Sequence, residues 1–323
     1  MITRRHLGGI AAGLLAARGA AAQDYADQTV RIIVPFPPGG PADFVGRLVA
    51  RALSDALRGN FVVDNRAGAG GLIGIEAVAK ARPDGLTLGI GSSGALSVLP
   101  NLMPRMPYDV ARDIQPVSLV TSVPQVLAVH PSVPANTVQE LVALARSRPG
   151  TINYGSSGNA NSLHLAAELF RARAGGIEIV HVPYRGAAPA LTDLIAGNVQ
   201  MMFGDVPVML PQVRAGAIRA LGVTAEQRSS ALPDVPTLAE AGVPGVLSES
   251  YYGLIAPAGI PADRLAALHA AVKAACEGPT MSQALIDQGG RPIGNSPAEF
   301  TAHIRAEAEK WAEVIRFSGA RLD

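Results

Sequence analysis

Apolar runs with few breaks alternate with amphipathic stretches along this chain. TVRIIVPF (29–36) is β-branched and continuous, which predicts a strand buried on both faces. A helix is predicted from Pro41 to about Leu57, then a short strand NFVVDN and a helix Ile73–Ala81. LTLGIG, INYG, IEIVHVPY, VQMMFG and IRALGVT read as further strands. Helices over Ser162–Ala174 and Ala187–Ala196 fall between them. Continuous apolar strands separated by helices predict an α/β fold with mostly parallel sheets. Thr137-Val138-Gln139-Glu140 and Ser296-Pro297-Ala298-Glu299 carry capping-box spacing. The second opens a last helix to about Phe317, whose Phe300, Ile304, Trp311, Val314 and Ile315 make an apolar stripe. Trp311 is expected in the core.

Two stretches are extended, punctuated by proline and poor in charge: PVSLVTSVPQVLAVHPSVP and SESYYGLIAPAGIPADRL. They are expected to carry the chain out of one lobe and back. The expected division is 23–122 with 254–323 as a first lobe and 123–253 as a second.

Composition narrows the class. The 323 residues are 48% hydrophobic and 16% charged, enough for about two domains with a large core. Net charge is +1 and the basic residues are scattered, which gives no footprint for nucleic acid. Residues 1–22 hold Arg4 and Arg5, an apolar stretch from Leu7 to Ala17 and small residues at Ala20–Ala22. That reads as an export signal cut after Ala22, with an arginine pair close to the twin-arginine pattern. A periplasmic location is expected. Cys276 is the single cysteine, so no intrachain disulfide forms. It is expected to be buried on a helix.

Candidate chemistry lies in the loops. After the first strand, Pro35-Phe36-Pro37-Pro38-Gly39-Gly40 leads into Pro41 at a helix start. First-turn amides lack internal partners, and the helix dipole adds positive character there. Gly39 and Gly40 allow close approach, Pro41 costs nothing at the first helical position, and Ala42 and Asp43 offer amides. Asp43 is also a candidate local cap that holds the loop. Gly155-Ser156-Ser157-Gly158-Asn159 before a helix at about Ser162 repeats the theme. On separate lobes, the two loops would hold one carboxylate from both sides. Four charge-assisted hydrogen bonds at about 1.5–3 kcal/mol each, less the costs of association, leave on the order of 8 kcal/mol. That is micromolar affinity. The loop Asn65–Gly71 either lines the cleft or is a tight turn. Ser92 and Ser93 lie at another strand end, where open α/β sheets bind ligands. Asp205, after VQMMFG, either faces the cleft and receives an N–H or O–H from the ligand's far end, or caps the next turn.

Other chemistry finds little support. Gly89–Gly94 matches GxGxxG, but the following prolines make a poor crossover helix. No P-loop, GxSxG or HExxH motif occurs. His164 and Glu168, four apart on a helix, read as a surface pair or helix-start packing rather than a metal site, and His181 as a satisfied core histidine. No cofactor and no metal are expected.

Six segments then carry a family resemblance. They are VPFPPGGPADFVGRLVA, VVDNRAGAGGLIGIEAVAKARPDGLTL, INYGSSGNANSLHLAAELF, VPYRGAAPALTDLIAGNVQMMFGDVP, RALGVTAEQRSSALPDVPTLAEAGVPG and YYGLIAPAGIPADRL, in order from Val34 to Leu265. The chain resembles the Bug family, the TctC-type extracytoplasmic receptors of tripartite tricarboxylate transporters. The resemblance implies a type II periplasmic-binding-protein fold, two α/β lobes joined by two crossing strands that close on a ligand. It implies a carboxylate held by backbone groups of the PFPPGG and YGSSGN loops, partly through water, with Asp205 near the ligand's far end. The ligand-binding residues expected are Phe36, Gly39, Gly40, Ala42, Asp43, Ser92, Ser156, Gly158, Asn161, Ser162 and Asp205. Partners implied are a small carboxylate, membrane permease subunits or a sensor kinase, with the receptor itself a monomer. Phe44, Leu72 and the Ala160-Asn161 pair depart from the commonest pattern, with Phe44 expected to face the core. Val206 and Tyr251 are variable positions, so the ligand is open. An exported hydrolase or isomerase, and a sensor adaptor, are the alternatives.

Overall fold

The computed structural model describes Tyr25 and residues 28–159, 161–184 and 186–321. The expected export signal lies outside the described residues. The chain runs β1 (Thr29–Val34), α1 (Pro41–Leu57), β2 (Asn60–Asn65), α2 (Leu72–Ala79) and β3 (Thr87–Ser92). Short helical turns lead to β4 (Ile114–Val129), α3 (Val138–Ser147), β5 (Asn153–Ser156), α4 (Ser162–Arg173), β6 (Val180–Pro183) and α5 (Ala187–Ile195). Then come β7 (Met201–Asp205), α6 (Val206–Arg214), β8 (Arg219–Val223), β9 (Glu249–Pro257), α7 (Ala262–Glu277), α8 (Pro279–Asp287), β10 (Arg291–Pro292) and α9 (Pro297–Ser318).

The strands form two sheets that share β4. The order β2-β1-β3-β9-β4 makes the first, and β4-β7-β5-β6 the second, with β8 also on β4. Residues 114–124 of β4 pair with β9, and residues 125–129 pair with β7 and β8. The two proline-punctuated stretches thus become the crossing strands of a two-lobed α/β fold of the periplasmic-binding-protein type. One expectation is corrected. Parallel pairing holds for β1 with β2 and β3 and for β5 with β6 and β7, but every pair made by β4 and β9 is antiparallel. A strand that returns from the other lobe arrives pointing the opposite way.

Alternation along the strands sorts the helices onto both faces. In the first sheet Ile32, Val34, Leu88 and Ile90 pack against Val45, Val49 and Leu53 of α1 and Leu268 and Val272 of α7. Ile33 and Ile255 face the other way, to Ile75 of α2 and Phe300 and Ile304 of α9. In the second sheet Leu127, Met201 and Phe203 meet Leu141 of α3 and Phe170 of α4, while Val126 and Met202 meet Leu194 of α5 and Met209 of α6.

Helix α9 joins both cores. Phe300 and Ile304 sit in the first lobe, and Trp311 and Val314 in the second. Trp311 is buried as expected, and its Nε1 donates to Glu307. The Ser296 capping box forms in full. At α3, Thr137 accepts from the Glu140 amide, while the Glu140 carboxylate reaches the Asn136 amide. Cys276 is buried on α7 with its Sγ 3.7 Å from the Val120 carbonyl. No described helix is long and apolar enough to cross a membrane.

Candidate functional site

The loop after β1 is built as an anion cradle. Gly40 occupies the cap position of α1 with extended backbone, Pro41 is the first helical residue, and no side chain caps the helix. The first-turn amides therefore point outward without an internal partner. Gly39 has φ +86°, a conformation only glycine adopts at low cost. Its amide donates to Asp43 Oδ2 at 3.0 Å. The other Asp43 contacts are Arg47 Nε at 2.9 Å and Asn65 Nδ2 at 2.9 Å. Asn65 also donates to the Phe36 carbonyl. Burial alone would raise the Asp43 carboxyl, but hydrogen bonds from Arg47, Gly39 and Asn65 outweigh it and hold it at about 2. The Asp43 side chain is thus turned into the protein and holds the loop through Gly39 and Asn65, the local role read from the sequence, which leaves its backbone amide as the group that could meet a ligand. Asp43→Ala is expected to strand these donors and cost about 3 kcal/mol in chemical denaturation. Unchanged stability would show that the loop holds its shape without the carboxylate.

The second loop differs. Asn161 is the cap residue of α4, and its Oδ1 accepts from the amides of Leu163 and His164 at 3.0 and 3.1 Å. Its Nδ2 donates to the Gly158 carbonyl. The Ser156 hydroxyl is fully buried, 2.8 Å from the Gly158 carbonyl and 2.6 Å from His181 Nε2. The Ser156 and Asn161 side chains are likewise engaged within the loop. They fix the loop, because an Asn at the cap satisfies helix-start amides that would otherwise face a ligand. Ser157 and Ser162 remain half-buried at the rim. Beneath the loop His164 stacks on His181 with ring centroids 3.9 Å apart, and both stack on Tyr154. Glu168 accepts from the Tyr154 hydroxyl at 2.6 Å and pairs with Arg171 at 2.7 Å. Of the two readings of His164 and Glu168, surface pair or helix-start packing, their burial favours packing. Burial, with Arg171 beside it, pushes the His164 imidazole down to about 4. Among the described residues no cluster of three potential metal ligands occurs.

The two loops belong to opposite lobes. β1 lies in the first sheet and β5 in the second. β7 runs parallel to β5, so Asp205 at its end shares an edge with the Ser156 loop. Across the gap Asp205 and Pro207 line a cavity with Pro41, Phe44 and Tyr252. The start of α1 therefore faces the strand ends of the second lobe. Phe44 packs against the first lobe's core, as expected, and also lines this cavity.

Asp205 makes no cap hydrogen bond to α6, which removes the local-cap alternative. Cross-strand alignment puts Gln125 opposite Asp205, Val123 opposite Ser250, Thr121 opposite Tyr252, and Ser92 opposite Tyr252 from the other side. Opposed side chains share a face. Ser250 donates to Asp205 Oδ1 at 3.0 Å. Burial pushes the Asp205 carboxyl up to about 6, against this bond and the neighbouring Gln125 amide. Ser92 Oγ and Gln125 Nε2 are buried without a hydrogen-bond partner among the described residues. Gln125, Ser250 and Tyr252 escape a reading by motif. The period-2 alternation of β9 separates Tyr252, on the cleft face, from Tyr251, which is buried on the back against Ser97, Phe300 and His303.

Comparison with known proteins agrees with this architecture. The family model for the tripartite tricarboxylate transporter family receptor, TctC, matches residues 45–319. Protein BugT of Bordetella pertussis is 38% identical over 302 residues, 93% of this chain and 92% of that protein. A Rhodopseudomonas palustris protein solved with adipate is 37% identical with a TM-score of 0.81, covering 91% of this chain and 98% of that one. MatC from the same species, solved with bound malate, is 31% identical with a TM-score of 0.76, covering 90% and 99%. The chain belongs to the TctC family of tripartite tricarboxylate transporter receptors, whose relatives include the Bug proteins.

Proposed function

We propose that the chain is an exported solute-binding protein that captures a small organic acid between its lobes and delivers it, unchanged, to the permease subunits of a tripartite tricarboxylate-type transporter. The uncapped α1 start, facing the second lobe across a cleft, carries this reading. The acid's carboxylate rests on the amides of Gly40, Ala42 and Asp43, with Phe36 and Gly39 shaping that side. Gly158, Ser162 and the Ser156 and Asn161 backbone close from the other lobe. Ser92 and Asp205 line the floor. Residues 23–122 with 254–323 move against 123–253 about Val123–Gln125 of β4 and the entry to β9. Closure shifts with ligand because the bound acid touches both lobes only when they are shut. That relatives were solved with adipate and malate supports a carboxylate ligand.

The hydrolase alternative would draw on Asp43, Asp205 and a histidine; among the described residues a serine–histidine contact also lies near the cleft, Ser156 with His181. The Ser156 hydroxyl is fully buried and engaged with the Gly158 carbonyl, which speaks against attack on a substrate. Purified protein should bind one organic acid per monomer in a thermal-shift and calorimetric panel of mono-, di- and tricarboxylates, aromatic acids and acidic amino acids. The acid should be recovered intact. A panel with no binder, or recovery of a product, would overturn the reading.

A further inference from the structure

Asp205 gives the far end of the cleft a chemistry that discriminates among acids. It lines a cavity of about 40 Å³ whose walls are largely apolar, from Pro41, Phe44, Val45 and Val123. The polar groups that face its carboxyl or share its cavity are Ser250 and Tyr252 from β9, Gln125 and Thr121 from β4, and Gln288 just after α8. From α1 come Pro41, Phe44 and Val45, none of them polar. Tyr252 is the titratable member of this set, and burial, then the Asp205 charge, raises its phenol. No cation is among them. A second ionised carboxylate placed here would meet Asp205 between apolar walls without a counter-ion, where like charges repel strongly. A hydroxyl fits better. It donates to the Asp205 carboxylate and brings no second charge to it.

We propose that the Asp205 end of the cleft takes an uncharged hydroxyl, so that the preferred ligands are hydroxy-monocarboxylates and not dicarboxylates. This rests on the reading that the ligand's carboxylate sits at the Gly40 loop. Burial holds the Asp205 carboxyl near 6, so it is mostly ionised at neutral pH. A dicarboxylate then enters only by taking up a proton to share between the two carboxyls.

The test is calorimetry near neutral pH with ω-hydroxy acids, plain monocarboxylates and dicarboxylates of matched short chain lengths. At the best length, the hydroxy acid is expected to bind at least about tenfold tighter than the dicarboxylate. Any dicarboxylate binding should show proton uptake through the buffer dependence of its heat. Asp205→Asn should erase both the gap and the uptake, since an amide donates to the second carboxylate. Wild-type protein that binds a dicarboxylate as tightly as the hydroxy acid, with no proton uptake, overturns the proposal without needing the variant. Monocarboxylates that bind equally with and without the hydroxyl also overturn it while leaving the carboxylate reading in place. If none of these acids binds, the carboxylate reading falls and this one with it.

Discussion

Gly40→Val is expected to abolish acid binding while leaving the fold intact. Gly40 has φ −87° and ψ 174°, which any residue adopts. A Cβ built there meets only the Pro37 carbonyl, at 3.8 Å. The protein itself therefore has no steric need for glycine at this position. The side chain would occupy the space from which a carboxylate reaches the first-turn amides of α1. Loss of two charge-assisted hydrogen bonds costs about 3 kcal/mol or more, on the order of 100-fold in affinity. Calorimetry with any acid that binds wild type, alongside a melting curve, checks both halves. Wild-type affinity in the variant would mean that the loop is not the grip.

The second large effect concerns stability. Trp311→Ala should cost about 3–5 kcal/mol, the range for removing a large buried aromatic side chain. Trp311 is 1% exposed and lies in the second lobe's core, on a helix whose first half belongs to the first lobe. Lys310 stands 4.4 Å over its ring, and Glu307 accepts its indole N–H. The cavity left behind would loosen a long helix that enters both cores. Urea unfolding monitored by far-UV circular dichroism gives the value. A loss below about 1 kcal/mol would show that α9 is not a structural tie between the lobes.

Much of this was legible in local pattern. The Pro41–Leu57 helix matches to the residue, because a proline start and a strong amphipathic stripe both act within a few positions. The extended stretches around Val117 and Tyr252 were readable as crossing strands from their length and lack of charge. Their antiparallel pairing was not, because register between segments over a hundred residues apart depends on the whole topology. The same limit applies to α9. Its apolar stripe gives a buried face but does not say that Phe300 and Trp311 enter different cores.

At the site, residue type alone does not separate polar side chains that serve the loop itself from those that could meet a ligand. Asp43, Ser156 and Asn161 carry the right chemistry for a ligand, yet each closes its own turn. Local hydrogen bonding by Asx and Ser residues at helix starts competes with any ligand for these groups. Gly40 and Asp205 lack that competition: one has no side chain, and the other makes no cap bond.

A crystal structure of the protein with a bound acid, chosen from the binders of the panel or from what copurifies, tests the central claim most directly. The account predicts a carboxylate within hydrogen-bonding distance of the Gly40–Asp43 amides, closed over by the Ser156–Ser162 loop, with Asp205 at the opposite end of the molecule. An acid held by basic side chains elsewhere, with the α1 amides facing only water, would contradict it.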